Sequence, residues 1–456
     1  MNDQKKNGNV VAIVTMFFLF AMISFVTNLA APFGTIWRNE YAGSNALGMM
    51  GNMMNFLAYL FMGIPAGLML TKIGYKKTAL IAMAIGVIGL FTQYLSSLFG
   101  ADVEVFQMGQ FAIKLNFIIY LLGAFICGFC VCMLNTVVNP MLNLLGGGGN
   151  KGNQLIQTGG ALNSLSGTLT PLFVGALIGT VTKSTAMSDV SPLLFMAIGV
   201  FVFAFLVISF VTIPEPHMQS AKDHKKETFE HSPWSFRHTV LGVIGIFVYV
   251  GIEIGIPGTL NFYLADSSER GAGILENGAA IGGAISAIYW LLMLVGRSAS
   301  SAISGKVSSR TQLIAVSATA IVFILIAILT PKAVTVSMPG YSVGEGFQMA
   351  QVPISALFLV LCGLCTSVMW GGIFNLAVEG LGKYTAQASG IFMMMVVGGG
   401  IFPLLQQYIS DSYGYMPSYW LIIALLAYLL FYGLTGCKNV NKDIPVDNSI
   451  QNIPLE

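Results

Sequence analysis

From Val10 to Trp37 the chain carries no ionisable side chain, and apolar runs of this kind recur along its length. About twenty apolar residues suffice for a helix to cross the hydrocarbon core of a bilayer. Lipid offers no partner to backbone N–H and C=O groups, so a spanning segment is either a helix or a strand of a closed barrel. Barrel strands read as alternating stretches of about ten residues, and these runs do not alternate. Composition points the same way. The chain is 55% hydrophobic and 9% charged, whereas an ordinary soluble domain is about a quarter charged. The sequence predicts an all-α membrane protein.

The apolar runs place spans at 10–37, 48–70, 78–99, 116–145, 153–181, 190–213, 239–265, 280–303, 312–330, 353–378, 385–409 and 417–436. A polar stretch rich in Lys, Glu and His separates the sixth from the seventh. The expected organisation is a six-helix half over 1–213, a linker over 214–238, a second six-helix half over 239–437 and a tail over 438–456. Lys5 and Lys6 precede the first run in the manner of a signal peptide. That run is too long for one and lacks a small-residue cleavage site, so it is expected to stay as the first span. With twelve spans, 16 of the 21 basic residues fall on the side of the two termini. Basic loops stay in the cytoplasm, which predicts cytoplasmic termini. The near-neutral net charge of +2 gives no sign of nucleic-acid binding.

The halves match one another. A shift of 233 residues carries Gly63, Ala66 and Thr78 onto Gly296, Ala299 and Thr311, Asn28 onto Asn261, and Lys77 onto Arg310. Gly167 and Pro171 stand four apart, as do Gly399 and Pro403. Parallel repeats about an axis along the membrane normal are an architecture of secondary transporters.

Several motifs carry a family resemblance. Gly67-Leu-Met-Leu-Thr-Lys72-Ile-Gly74-Tyr-Lys76-Lys77 resembles the major-facilitator signature between the second and third spans, with Thr71 where that signature has Asp. Asn135-Thr-Val-Val-Asn139-Pro140, Asn163-Ser-Leu, Tyr249-Val-Gly-Ile-Glu253, Tyr289-Trp290 with Gly296-Arg297, and the stretch from Leu381 to Leu405 resemble the fucose:proton symporter family, above all its glucose/galactose permease branch. The resemblance implies a bacterial inner-membrane importer of a monosaccharide, acting as a monomer and coupled to a cation, the proton first. Sodium coupling, or uncoupled carriage of another small polar solute, remains open. Two acids linked to protonation in fucose symporters are the amides Asn28 and Asn135 here, and amides do not titrate.

An acid within a span is a functional hypothesis by default. Glu253 is the sole acid well inside one, and it is the expected proton-coupling residue. Sugar recognition calls for paired donors and acceptors with an aromatic face for the ring. Asn28, Asn135, Asn139, Asn163, Asn261 and Asn375 are the expected amides, with Trp290 and Trp370 as the aromatic face. Some amides in apolar helices serve only helix packing. Gly67, Lys72, Gly74, Lys76 and Arg297 are the expected gating-loop residues, with Arg297 read as lying near a cytoplasmic helix end.

Other functions fit less well. Intramembrane hydrolysis calls for paired Asp, a Ser–His pair or a His-Glu-x-x-His zinc site, and no span contains His or two acids. No Walker sequence is present, which excludes an ATP-driven pump within this chain. Channels repeat pore motifs around an oligomer axis. The two Cys-x-x-Cys spacings, at Cys127–Cys130 and Cys362–Cys365, lie in apolar helices and read as small hydrophobes. Neither a metal nor a cofactor is expected.

Overall fold

The computed structural model describes residues 2–145, 149–178, 181, 184–213, 215, 231–303, 307–342, 346–381, 384–441 and 443–444. Most of the linker, including His217, His224 and Lys225, and most of the tail lie outside the described residues.

The first span is broken into α1 (Asn2–Asn28) and α2 (Ala30–Glu40). Pro32 has no N–H to offer the carbonyl of Asn28, and the ladder interrupts there. Next come α3 (Asn45–Ile73) and α4 (Tyr75–Leu95), the hairpin β1 (Glu104–Met108) with β2 (Phe111–Lys114), then α5 (Leu115–Leu145), α6 (Gly149–Ile178) and α7 (Ser191–Phe210). The second half comprises α8 (Arg237–Ala265), α9 (Gly278–Ile303), α10 (Ser309–Leu329), the hairpin β3 (Thr335–Ser342) with β4 (Gly346–Pro353), and α11 (Ile354–Val378). Its eleventh span is broken, into α12 (Thr385–Met395) and α13 (Gly398–Tyr413), and α14 (Tyr415–Phe431) closes the bundle.

Eleven spans among the described residues are long and apolar enough to cross a membrane. The thirty-residue α6 makes the twelfth, and its Asn163, Ser164, Ser166, Thr168 and Thr170 make it the most polar. Phe61, Phe91, Phe203, Val322 and Trp420 are exposed on the outside of the bundle. On a membrane protein that apolar skin is lipid-facing. All six cysteines are free and buried, and no group of metal-ligating side chains occurs among the described residues. With twelve spans both termini share one face, here called the terminal face; the two β-hairpins lie on the other, the hairpin face.

Each half has its own brace at the terminal face. Gly74 sits at φ 86°, where the chain turns from α3 into α4. The Glu215 carboxylate accepts from the N–H groups of Tyr75 and Lys76 at 2.7 and 2.9 Å, capping α4. Lys76 Nζ donates to Ser209 O near the end of α7 at 2.8 Å. In the second half Arg310 donates to the carbonyls of Gly433 and Leu434, just past α14. The partner of Arg310 is thus Lys76, one position from the Lys77 that the 233-residue shift selects. Lys72 is exposed, and Gly67 has open space where a side chain would stand.

Between the halves, α6 packs on α9 and α3 on α13. The second contact depends on glycine. A Cβ on Gly399 would lie 2.9 Å from the Phe56 ring and one on Gly400 2.9 Å from Met53 O, both on α3, while one on Gly398 would collide with the Phe247 carbonyl of α8 in its own half. Pro403 leaves the Gly399 carbonyl without its helical partner. Asn52 Nδ2, from the other half, donates to it at 2.9 Å.

Candidate functional site

A cavity of about 720 Å³ lies at the middle of the bundle, between the halves. From the first half it is lined by Asn28, Asn55, Tyr59, Asn135, Asn139 and Asn163. From the second half come Tyr249, Glu253, Trp290, Arg297, Trp370 and Asn375.

Four of the lining amides are anchored to the protein through their nitrogens. Asn28 Nδ2 donates to Ser24 O at 2.8 Å, Asn135 Nδ2 to Tyr59 Oη at 2.7 Å, Asn139 Nδ2 to Asn135 O at 2.9 Å and Asn163 Nδ2 to Phe20 O at 3.2 Å. Among the described residues nothing donates to the four amide oxygens. The wall therefore presents fixed acceptors, suited to a solute rich in hydroxyl donors. Trp290 meets Tyr289 edge-on at 5.5 Å, and Trp370 lies 6.1 Å from Tyr249.

Glu253 and Arg297 are the only acidic or basic residues, among those described, that line the cavity. Arg297 Nη2 reaches Glu253 Oε1 at 3.3 Å, with both side chains about 15% exposed. Its Nη1 donates to Gly160 O at 2.8 Å and Ser164 Oγ at 2.9 Å, both on α6 of the opposite half. This corrects the expectation that Arg297 belongs to a cytoplasmic gating loop. It stands six residues before the end of α9 and points inward, where a carboxylate compensates its charge.

Asn261 is also placed elsewhere than expected. It lines a separate cavity of about 150 Å³ nearer the hairpin face, whose wall shares Asn28 and Trp290 with the central one. The 233-residue shift fails here because the loop joining α2 to α3 has four residues (41–44), and the loop joining α8 to α9 has twelve (266–277). Allowing for that difference, Asn28 corresponds to Glu253, and Pro32 to Pro257. Sequence reasoning also left Tyr59 and Gln312 out of the site. The spacing of Asn52, Asn55 and Tyr59, on one face of α3, is the signal that would have found the tyrosine.

The cavity opens towards the terminal face, where Asn139, Ser309, Gln312 and the exposed Asn375 line its mouth. The hairpin face is closed by contacts between the halves. Asp411, near the end of α13, accepts from Ser44 Oγ at 3.2 Å and from the N–H groups of Asn45 and Ala46 at 2.9 and 3.0 Å, at the start of α3. Arg38 lies 3.7 Å from Asp266 and above the Phe262 ring. Tyr415 Oη donates to Asp266 Oδ2 at 3.0 Å and to Asn45 Oδ1 at 3.2 Å. Burial acts to raise the Asp266 carboxyl, but the hydrogen bonds from Ser268, with Arg38 and Tyr415, outweigh it and hold it below the usual range.

The family model described as Major Facilitator Superfamily matches residues 13–403. The chain belongs to the Major Facilitator Superfamily. As a member of the superfamily it is a transporter and not an enzyme. A glucose/galactose transporter of Brucella abortus is 29% identical over 446 residues, covering 96% of each chain. The L-fucose-proton symporter of Escherichia coli is 22% identical over 443 residues, covering 91% of this chain and 90% of that one. A crystal structure of the superfamily transporter FucP in the outward conformation matches with a TM-score of 0.65 and 17% identity, over 94% of this chain and 99% of that one.

Proposed function

We propose that the chain imports a neutral monosaccharide across the bacterial inner membrane by alternating access, coupled to a proton. The observation that carries this reading is the central cavity: fixed amide acceptors, two indoles, and a single ion pair that leaves its charge balanced. A balanced wall suits an uncharged polyol better than a sugar acid or phosphate. The names of the Brucella and Escherichia relatives support the substrate class, and the symporter's name supports the proton. Glu253 is the proposed proton site. Asn28, Asn135, Asn139, Asn163, Trp290, Trp370 and Asn375 are the proposed sugar contacts, and the cytoplasm is the proposed location of the terminal face. On that reading the structure is the inward-open state of a monomeric carrier.

One observation favours a second reading, an uncoupled carrier: Arg297 already neutralises Glu253, and the first-half positions are amides. Counterflow in proteoliposomes with a panel of hexoses, with and without a proton gradient, separates the two. Uphill accumulation that collapses with an uncoupler supports symport. Counterflow indifferent to the gradient supports the uncoupled carrier, and no counterflow with any hexose rejects the sugar assignment.

A further inference from the structure

Arg297 touches three things that alternating access has to coordinate. It lies on α9 and pairs with Glu253 on α8, in its own half. It donates twice to α6, in the opposite half. It also borders the cavity that the solute fills. Its two acceptors on α6 are neutral, so Glu253 is the only described lining residue that balances its charge.

Isolated charge is costly to take out of water, and a pair is tolerated only when each partner compensates the other. In the open cavity, water can solvate an arginine left alone. In a closed cavity, water is replaced by whatever fills the space. Three cases follow. With Glu253 ionised and the cavity empty, the pair is neutral and the cavity can close. With Glu253 protonated and no solute present, Arg297 is uncompensated and closure is opposed. With Glu253 protonated and a polyol bound, solute hydroxyls can accept from the guanidinium, and closure is again allowed.

We propose that Arg297 is the coupling residue of the carrier: it makes closure of the cavity around a protonated Glu253 conditional on bound solute. This rests on the proton-coupled reading above. The proton adds to the Glu253 carboxylate on one side of the membrane and leaves it on the other, and the guanidinium keeps its own protons throughout. Arg297 need not donate the decisive sugar contact. Its role is to forbid one of the carrier's states, that of proton without sugar.

The test follows proton entry with a trapped pH dye in proteoliposomes carrying an inward proton gradient, with and without the hexose that gives counterflow. Wild-type carrier should pass protons only when the hexose is present. Arg297→Gln should lose uphill accumulation and admit protons without hexose at least about tenfold faster than wild type. Arg297→Lys keeps the charge and should remain tight. The double variant Glu253→Gln/Arg297→Gln removes the proton site, so it should pass no protons, which distinguishes a specific slip from a damaged, leaky protein. If wild-type carrier passes no protons with hexose, the proton-coupled reading falls, and this proposal with it. If wild type is coupled while Arg297→Gln stays tight and accumulates, the proposal alone is overturned. Should Arg297→Gln not reach the membrane, Arg297→Met takes its place; it removes the charge while keeping much of the side-chain length and should raise solute-free proton entry in the same way, and an unchanged entry would count against the proposal.

Discussion

Asp411 holds the start of α3 across the interface, and its removal should let the hairpin face open. The carboxylate accepts three hydrogen bonds from residues 44–46. All three must break when the halves part there, because Asp411 belongs to one half and the helix start to the other. Hydrogen bonds to a charged group contribute about 1.5–3 kcal/mol each when buried, and a negative charge at a helix N-terminus adds about 0.3–1 kcal/mol. Asp411 is half-buried, and water replaces part of what is lost, so a net cost of about 2 kcal/mol is reasonable. That corresponds to roughly a thirtyfold shift towards the state open on the hairpin face. The assay places a single cysteine at Asn261, which lines the small cavity beneath that face, with the six buried native cysteines replaced. A membrane-impermeant maleimide is then added from the hairpin side. Labelling of Asp411→Ala should accelerate about ten- to thirtyfold, with Asp411→Asn between the two. Ser412→Ala should change nothing, since that hydroxyl donates only to Tyr408 O on its own helix. Unchanged or slower labelling of Asp411→Ala would refute the latch.

Four further outcomes are expected. Asn135→Ala, Asn163→Ala and Trp290→Ala should each weaken hexose binding about ten- to hundredfold in equilibrium titrations, by loss of roughly 1–3 kcal/mol, while membrane insertion is unaffected. Asp266 has a depressed pKa, so its contribution to the latch is complete above the ordinary carboxylate range and is lost only as pH falls through the depressed value. The cysteine at position 261, after correction for the reagent's own pH dependence, should therefore label at the same rate from about pH 7.5 down to about pH 5, and Asp266→Asn should raise that rate throughout. Gly398→Ala forces a methyl group against the Phe247 carbonyl and should lower the melting temperature in detergent, whereas Gly67→Ala, with open space around it, should not. Reporter fusions after Lys77 and near Ser267 should report opposite sides of the membrane, the first cytoplasmic.

The span pattern was legible because apolar length is a local property of sequence. The expected run 239–265 becomes α8, Arg237–Ala265, and 353–378 becomes α11, Ile354–Val378. The small extension at the start of α8 draws in His238, which is fully buried with Nε2 2.9 Å from Glu379 O. It belongs to a helix end rather than to the linker. The clustering of the polar residues was less legible. Asn28 and Glu253 share a backbone device, a proline four residues later, but unequal loops hide the correspondence from a fixed shift. Arg297 lies close enough to its helix end to pass for a snorkelling residue. Only the packing of α6 against α9, which no single helix encodes, turns it inward. Tyr59 was hidden by chemistry: an aromatic residue in an apolar helix reads as core until Asn135 is found 2.7 Å from its hydroxyl.

The closed hairpin face also bears on pharmacology. With the hairpin face outermost, as proposed above, a sugar mimic that cannot cross the membrane meets the proposed binding site only in carriers open on that face. Its apparent dissociation constant is its intrinsic constant divided by that fraction. If the latch holds the outward-open state to about 1% of carriers, within the range usual for a minor conformer, such a compound would bind about a hundredfold more weakly from the medium than its fit to the cavity warrants. The same compound presented to inverted vesicles would meet the open mouth beside Asn139 and Asn375 directly. Potency measured on whole cells would then report the strength of the Asp411 and Asp266 contacts as much as the chemistry of the inhibitor.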